Sequence, residues 1–172
     1  MKRKELQKNE IGDFYWRYIN LIPEDASLIE TLEKNTAEIC HFLLSLPQEK
    51  WEYRYENEKW SILEVIQHII DTERVFQYRA LSIARGEEKP LPGFDHDQYV
   101  KASEAGTRKG AELVEEFRTL RKAAIWMYRN FNEKMLSRQG TVNGNPASPR
   151  AIAFVMAGHA LHHKNIINER YL

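Results

Sequence analysis

Three of the six histidines in this 172-residue chain fall close together near its C-terminus, in the segment GHALHHKN: His159, His162 and His163. An α-helix turns about 100° per residue, which decides which of them share a face. With Ile152 as the reference direction, Val155, Met156, Ile166 and Ile167 lie within about 60° of it. His159 and His163 lie within about 20°, at the middle of the apolar face, and His162 about 80° away, at its edge. The i, i+4 spacing of His159 and His163 lets two imidazoles approach one metal ion. Two imidazoles on a buried stripe must each find polar partners or be costly there. A metal satisfies both together; hydrogen bonds within the core are the alternative, and spacing alone does not separate the two. His162 reads as a rim residue.

A zinc-type centre needs a third ligand and an open coordination position. His68, His41, His96 and the carboxylates are the candidates. His68 is the best placed, in the interior of an apolar helix beside Val65 and Ile69, although toward the side of that stripe. His41 lies off its helix stripe and reads as solvated, and His96 sits in a loop. Around His68 stand Glu64, Asp71 and Thr72, each able to orient a ligating imidazole through its second nitrogen. Glu73 is close to the centre of the same apolar face, an unusual place for a carboxylate. It is either paired in the core or pointed at the site, and in the second case it is the candidate catalytic residue. Glu64 has a simpler role in a helix cap. The loop containing Phe94, Asp95, His96 and Tyr99 could shape an entrance.

Four helices must position these groups. The first is expected from Ser27 to Leu46, with Leu28, Leu32, Ile39, Phe42 and Leu46 as its stripe and Pro47 ending it. The second opens at Trp60-Ser61 with a capping box between Ser61 and Glu64, and runs to Arg85 with Gly86 as its left-handed cap. The third spans about Arg108 to Asn132, with an apolar stripe from Leu113 to Phe131 that reads as core packing. The fourth starts after Ser148 as N-cap, with Pro149 at the first helical position, where its missing N–H costs nothing. Four such helices predict an all-α, four-helix bundle over residues 26–172, with residues 1–25 an N-terminal extension packed on it or on a second subunit. The stretches 86–107 and 132–147 are long for bundle loops, and no segment shows strand alternation.

Composition narrows the function. Lys plus Arg and Asp plus Glu are 25 each, so the net charge is zero and nothing favours nucleic acid or an anionic membrane. The single cysteine, Cys40, excludes an internal disulfide, reads as a small buried side chain and fits a reducing, cytoplasmic setting. No apolar run reaches the ~18 residues of a membrane span, and the basic N-terminus lacks the apolar stretch of a secretory signal.

The motifs WSILEVIQHIIDTER (60–74) and HALHH (159–163), in this order and spacing, resemble the DinB-like superfamily of metal-binding four-helix bundles, which includes the YfiT-like group. Trp60, Ser61, His68, Asp71 and Thr72 match the first motif; His159 and His163 match the terminal H-x-x-x-H. The stretch ARGEEKPLPGFDHDQYV also reads like the family's loop after helix two. The resemblance runs from about residue 27 to 170. It implies one divalent metal, zinc or nickel, held by His68, His159 and His163, and so supplies the third ligand. It further implies a metal-dependent hydrolase or a bacillithiol- or mycothiol-dependent transferase, with a low-molecular-weight thiol as a cosubstrate, a small-molecule substrate and a homodimer. A non-catalytic metal-binding stress-response bundle is the rival reading.

Overall fold

The computed structural model describes residues 1–172. A short helix α1 (Trp16–Ile19) precedes the long α2 (Leu28–Leu44) and α3 (Ile62–Arg85). Then come the short α4 (His96–Ala102), the long α5 (Gly110–Arg129), the short α6 (Glu133–Leu136), strands β1 (Gly140–Val142) and β2 (Asn145–Ala147), and the long α7 (Pro149–Arg170). Both α2 and α3 pack on α5 and on α7, which sets α2 and α3 at diagonal corners of a four-helix bundle. No helix is long and apolar enough to cross a membrane.

Local chemistry sets the helix ends. Ser61 Oγ accepts from the Glu64 amide while Glu64 Oε2 accepts from the Ser61 amide, the reciprocal capping box. Gly86 closes α3 at φ +94°, a conformation that costs glycine nothing. Ser148 Oγ accepts from the Ala151 amide and Pro149 is the first residue of α7.

The core is split. One apolar cluster joins Leu28 and Leu32 of α2, Phe76 and Ala80 of α3, Ala124 and Tyr128 of α5, and Ile152 to Ala157 of α7. A second joins Ile39 and Leu43 of α2, Ile62, Ile66 and Ile70 of α3, Leu113, Val114 and Phe117 of α5, and Ala160 and Ile167 of α7. On each helix a buried polar residue falls between the two: Asn35, Glu73, Arg121 and His159. Arg121, fully buried, ties this layer together. It donates to Asn35 Oδ1 at 2.9 Å and to the Met156 carbonyl at 2.8 Å, and its guanidinium lies 2.7 Å from Glu73 Oε1. The expected stripe on α5 thus carries a cation in its middle.

The two long connections are folded rather than open. The first holds α4. The second holds α6 and a β-hairpin, the one departure from an all-helical chain. Its strands pair antiparallel with Thr141 opposite Pro146, and are too short for alternation to show in sequence. The turn is Asn143-Gly144 at φ +48° and +74°, the Asn-Gly pair that favours a tight hairpin turn. The hairpin also pairs with Leu91 and Ile11, so it joins the loop after α3 to the N-terminal segment.

Residues 1–25 lie on the bundle. Ile11, Tyr18, Ile19 and Ile22 are buried in the first apolar cluster. The buried Glu10 carboxylate accepts from Ser148 Oγ at 2.7 Å and from Arg150 Nε and a terminal guanidinium nitrogen at 2.6 and 2.5 Å. Burial pushes this carboxyl up, but the Arg150 fork, the Gln7 amide and Ser148 outweigh it and hold it below the usual glutamate range. The approach of α1 to α7 depends on Gly158: a Cβ there would stand 2.1 Å from the Tyr18 carbonyl oxygen. That glycine precedes His159, so the segment docks beside the histidines.

Candidate metal centre

The structure brings His68, His159 and His163 together. His68 comes from the middle of α3, and His159 and His163 from successive turns of α7, which packs against α3. His159 Nε2 lies 3.1 Å from His68 Nε2 and 3.1 Å from His163 Nε2, and one ligand atom from each residue falls within 4.8 Å of the others. His68 and His159 are buried and His163 is partly so.

Hydrogen bonding does not account for this convergence. A neutral imidazole offers one proton and one in-plane lone pair, on different nitrogens. His159 Nε2 would have to serve two neighbours with one of these, while its Nδ1 is buried with no protein partner. A metal ion instead takes one lone pair from each Nε2. With Zn–N bonds near 2.0–2.1 Å and tetrahedral angles, ligand nitrogens stand about 3.3 Å apart. The observed 3.1 Å is close to that separation. The residues present therefore fit a divalent ion.

The electrostatics agree. Burial pushes His68 down to about 3, with His96 nearby adding to the shift. Burial, then the neighbouring imidazoles, holds His159 and His163 well below the ordinary histidine range. All three are neutral near pH 7, the protonation state a ligand needs. Tyr18 sets its ring edge-on to His159 with centroids 5.3 Å apart, and Trp60 lies against His68 at 4.9 Å. These contacts fix the ring orientations.

The cluster opens into a cavity of about 450 Å³, within the usual range for a small-molecule site. α3 contributes Thr72, Phe76 and Arg79 along one face beyond His68; the N-terminal segment contributes Tyr15, Arg17 and Tyr18. His96 and Phe94 close another side, and Asn143 reaches in from the hairpin turn. His96, read from sequence as a loop residue, opens α4 behind the Asp95 cap and lies 5.6 Å from the His68 ring. His162 is half-buried, lines the cavity and faces Tyr18 at 5.2 Å, so it is nearer to the site than its helical angle implied. His41 is exposed on α2, away from the cluster.

The carboxylates do not reach the cavity. Glu73 is 1% exposed and sits against Arg121 in the polar layer of the core, of the two sequence alternatives the paired one, and is not among the residues lining the cavity. Burial pushes its carboxyl up and the Arg121 guanidinium opposes that shift. Glu64 is engaged by the α3 cap and by Arg54, and Asp71 by Gln67. No acidic residue lines the cavity. Sequence reasoning missed Arg17, Tyr18, Phe76 and Arg79. The 68-72-76-79 spacing on α3 was the available signal for two of them; the N-terminal wall had none beyond its aromatic content.

A four-helix bundle with three inward-facing histidines at one end of its polar layer is a defined class of protein. The DinB superfamily model matches residues 31–167, and the chain belongs to that superfamily. The fold is similar to YfiT from Bacillus subtilis, a probable metal-dependent hydrolase with an unusual four-helix bundle topology, at 15% identity and a TM-score of 0.74 over 86% of this chain and 90% of that one. It is also similar to the mycothiol-dependent maleylpyruvate isomerase, at 13% identity and a TM-score of 0.68 over 86% of this chain and 61% of that one. No curated protein matches the sequence.

Proposed function

We propose that this protein is a metal-dependent enzyme in which His68, His159 and His163 hold one divalent ion, zinc or nickel, and that it carries out hydrolysis or transfer of a thiol sulfur to a small-molecule electrophile. The observation that carries the reading is the meeting of three Nε2 atoms, with two separations of 3.1 Å, at the floor of an open cavity. The similarity to a metal-dependent hydrolase and to a thiol-dependent isomerase supports it. Imidazole nitrogens suit zinc and nickel alike, so supply in the cell decides between them. A bound divalent ion supplies Lewis acidity, lowering the pKa of a water or thiol presented to it.

The chain does the rest. The three histidines would hold the ion beside the cavity rather than sealed in the core, within reach of water or substrate, as a catalytic rather than a structural zinc site requires. Tyr18, Phe76 and Trp60 give the cavity an apolar lining beside the histidines. With no carboxylate in the cavity, proton movement falls to the imidazoles of His96 and His162. Glu73 is a positioning residue: it pairs with Arg121, which holds the Met156 carbonyl one turn before His159.

Protein purified without an affinity tag is expected to carry close to one zinc or nickel per chain by elemental analysis. His159→Ala and His163→Ala should lose it. Parental metal content in both variants would overturn the site. For catalysis, conjugation of a low-molecular-weight thiol to a chromogenic electrophile should require the metal. Equal rates in loaded and stripped protein would leave the rival, a non-catalytic metal-binding bundle, as the better reading.

A further inference from the structure

The cavity beside the histidines carries an unusual balance of charge. Two arginines, Arg17 and Arg79, line it and no acidic side chain does. Arg79 is 4% exposed and makes no salt bridge. A terminal nitrogen donates to the Pro92 carbonyl at 2.7 Å, the guanidinium lies 5.6 Å from the Phe94 ring centroid, and the Tyr15 phenol is its other neighbour. Every other arginine that is nine-tenths buried has a carboxylate: Arg121 has Glu73. A guanidinium cannot shed its charge by deprotonation, so a buried one needs an anion or pays in lost hydration. Arg17 at the rim donates to Tyr18 Oη at 2.6 Å and stacks over Phe14 at 3.8 Å, also without a carboxylate. A second polar group is free: Thr72 Oγ1 is buried, lines the same cavity and has no protein partner.

The geometry points to a carboxylate-binding subsite at Arg79, with Arg17 at its mouth, that selects elongated organic acids as the ligands of this cavity. Arg79 stands three turns from His68 along α3, about 16 Å between Cα atoms at the helical rise. Arg79 and His68 line the same cavity, so the gap between guanidinium and histidines follows that rise and is on the order of 10 Å or more. Phe76, Tyr15 and Tyr18 form the wall of that gap and suit an apolar or aromatic body; Thr72 stands midway and can hydrogen-bond it. One guanidinium, presenting two parallel N–H groups, matches a monoanionic carboxylate. The proposal rests on the histidine cluster as reaction centre only in assigning which end of the ligand reacts, and its binding step is independent of metal.

The test uses the full-length protein, both stripped with chelator and loaded with zinc, titrated with 4-phenylbutyrate and its uncharged amide by calorimetry. The acid is expected to bind the stripped protein roughly tenfold or more tightly than the amide, as for a charge-assisted hydrogen bond in a shielded site. Arg79→Gln should abolish that preference while leaving amide affinity and zinc stoichiometry unchanged. Arg79→Lys, which keeps charge but loses the fork, should weaken the acid about threefold, and Arg17→Gln by a similar factor. Equal affinity of acid and amide, no binding of either, or an Arg79→Gln variant that keeps the preference would overturn the subsite. If Arg79→Gln does not fold, an unchanged preference in both Arg79→Lys and Arg17→Gln overturns it. A carboxylate preference in protein that takes up no zinc would sink the metal reading and leave the subsite standing.

Discussion

Each of the three clustered imidazoles is held neutral by burial, and this has a measurable cost when no ion is bound. Burial holds His68 down to about 3, and the other two are also well below the ordinary range. An unfolded histidine takes up its proton near pH 6.5. As pH falls below that value the unfolded chain binds protons that the folded chain refuses, so stability declines, by about 1.4 kcal/mol per pH unit for each such histidine. Chelator-stripped protein is therefore expected to lose urea stability steeply between pH 7 and pH 5; a flat profile would show that the imidazoles protonate freely in the fold. The loaded protein should hold its ion over that range and release it in stronger acid, where unfolding lets protons compete for the ligand lone pairs. Truncating His159, which is shared by both 3.1 Å contacts, should weaken zinc binding by well over ~100-fold in a competition assay with a chromogenic chelator.

Among the elements, the helix ends could be read from short-range chemistry. Ser61 with Glu64, Gly86, and Ser148 with Pro149 each act within one turn, so their types and spacing are sufficient. The docking of α1 on α7 could not be read that way. It depends on the missing side chain of Gly158 meeting a carbonyl 140 positions earlier, and on Glu10 meeting Arg150, pairings with no local signature. The hairpin had one signal, Asn143-Gly144, but strands of three residues leave no alternation to find. Gly158→Ala is expected to push Tyr18 off α7, since relaxing a 2.1 Å approach to backbone requires the segment to move, at a cost of roughly 1–3 kcal/mol. Limited proteolysis should then cut within residues 1–25 while the bundle stays resistant; unchanged resistance would mean the helices absorb the methyl elsewhere. Glu10→Gln should cost roughly 2–3 kcal/mol at pH 7, the scale of hydrogen bonds to a charged group. Because the Glu10 pKa is lowered in the fold, that contribution is present above about pH 4.5 and is lost as pH falls through the folded value. The gap between parent and variant in urea should close in acid.

Across the whole molecule the defining feature is the polar layer, one residue from each long helix, between two apolar clusters. It explains why Glu73 drew notice in the sequence while Arg121 did not. A carboxylate at the centre of an apolar face is conspicuous, but an arginine in a charged helix such as α5 looks like any surface residue until its partner is located. The bundle and the inward pair His159 and His163 were legible because helical period places them, while His68 was one candidate among several until the motif resemblance supplied it; the cavity was not legible, because it is assembled from five separate stretches of chain. Removing one member of the buried pair should be far worse than removing both. Glu73→Ala leaves Arg121 uncompensated and should cost roughly 3–5 kcal/mol, whereas Glu73→Leu with Arg121→Met should recover most of that in a double-mutant urea cycle. The double variant should still take up one zinc per chain but more weakly, because the Met156 carbonyl one turn before His159 has lost its donor. A Glu73→Gln protein of parental stability and metal content that has lost all turnover would instead return Glu73 to a catalytic part. The way α1 seats on Gly158 has a consequence for how this cavity could be altered. The three histidines lie inside the stretch shared with the superfamily, residues 31–167, while Tyr15, Arg17 and Tyr18 lie outside it. The histidine cluster and the N-terminal wall of the cavity thus belong to separate parts of the chain. A different N-terminal segment grafted onto the same bundle, provided it lays bare backbone against that glycine, would change what the cavity admits without disturbing what its floor can do.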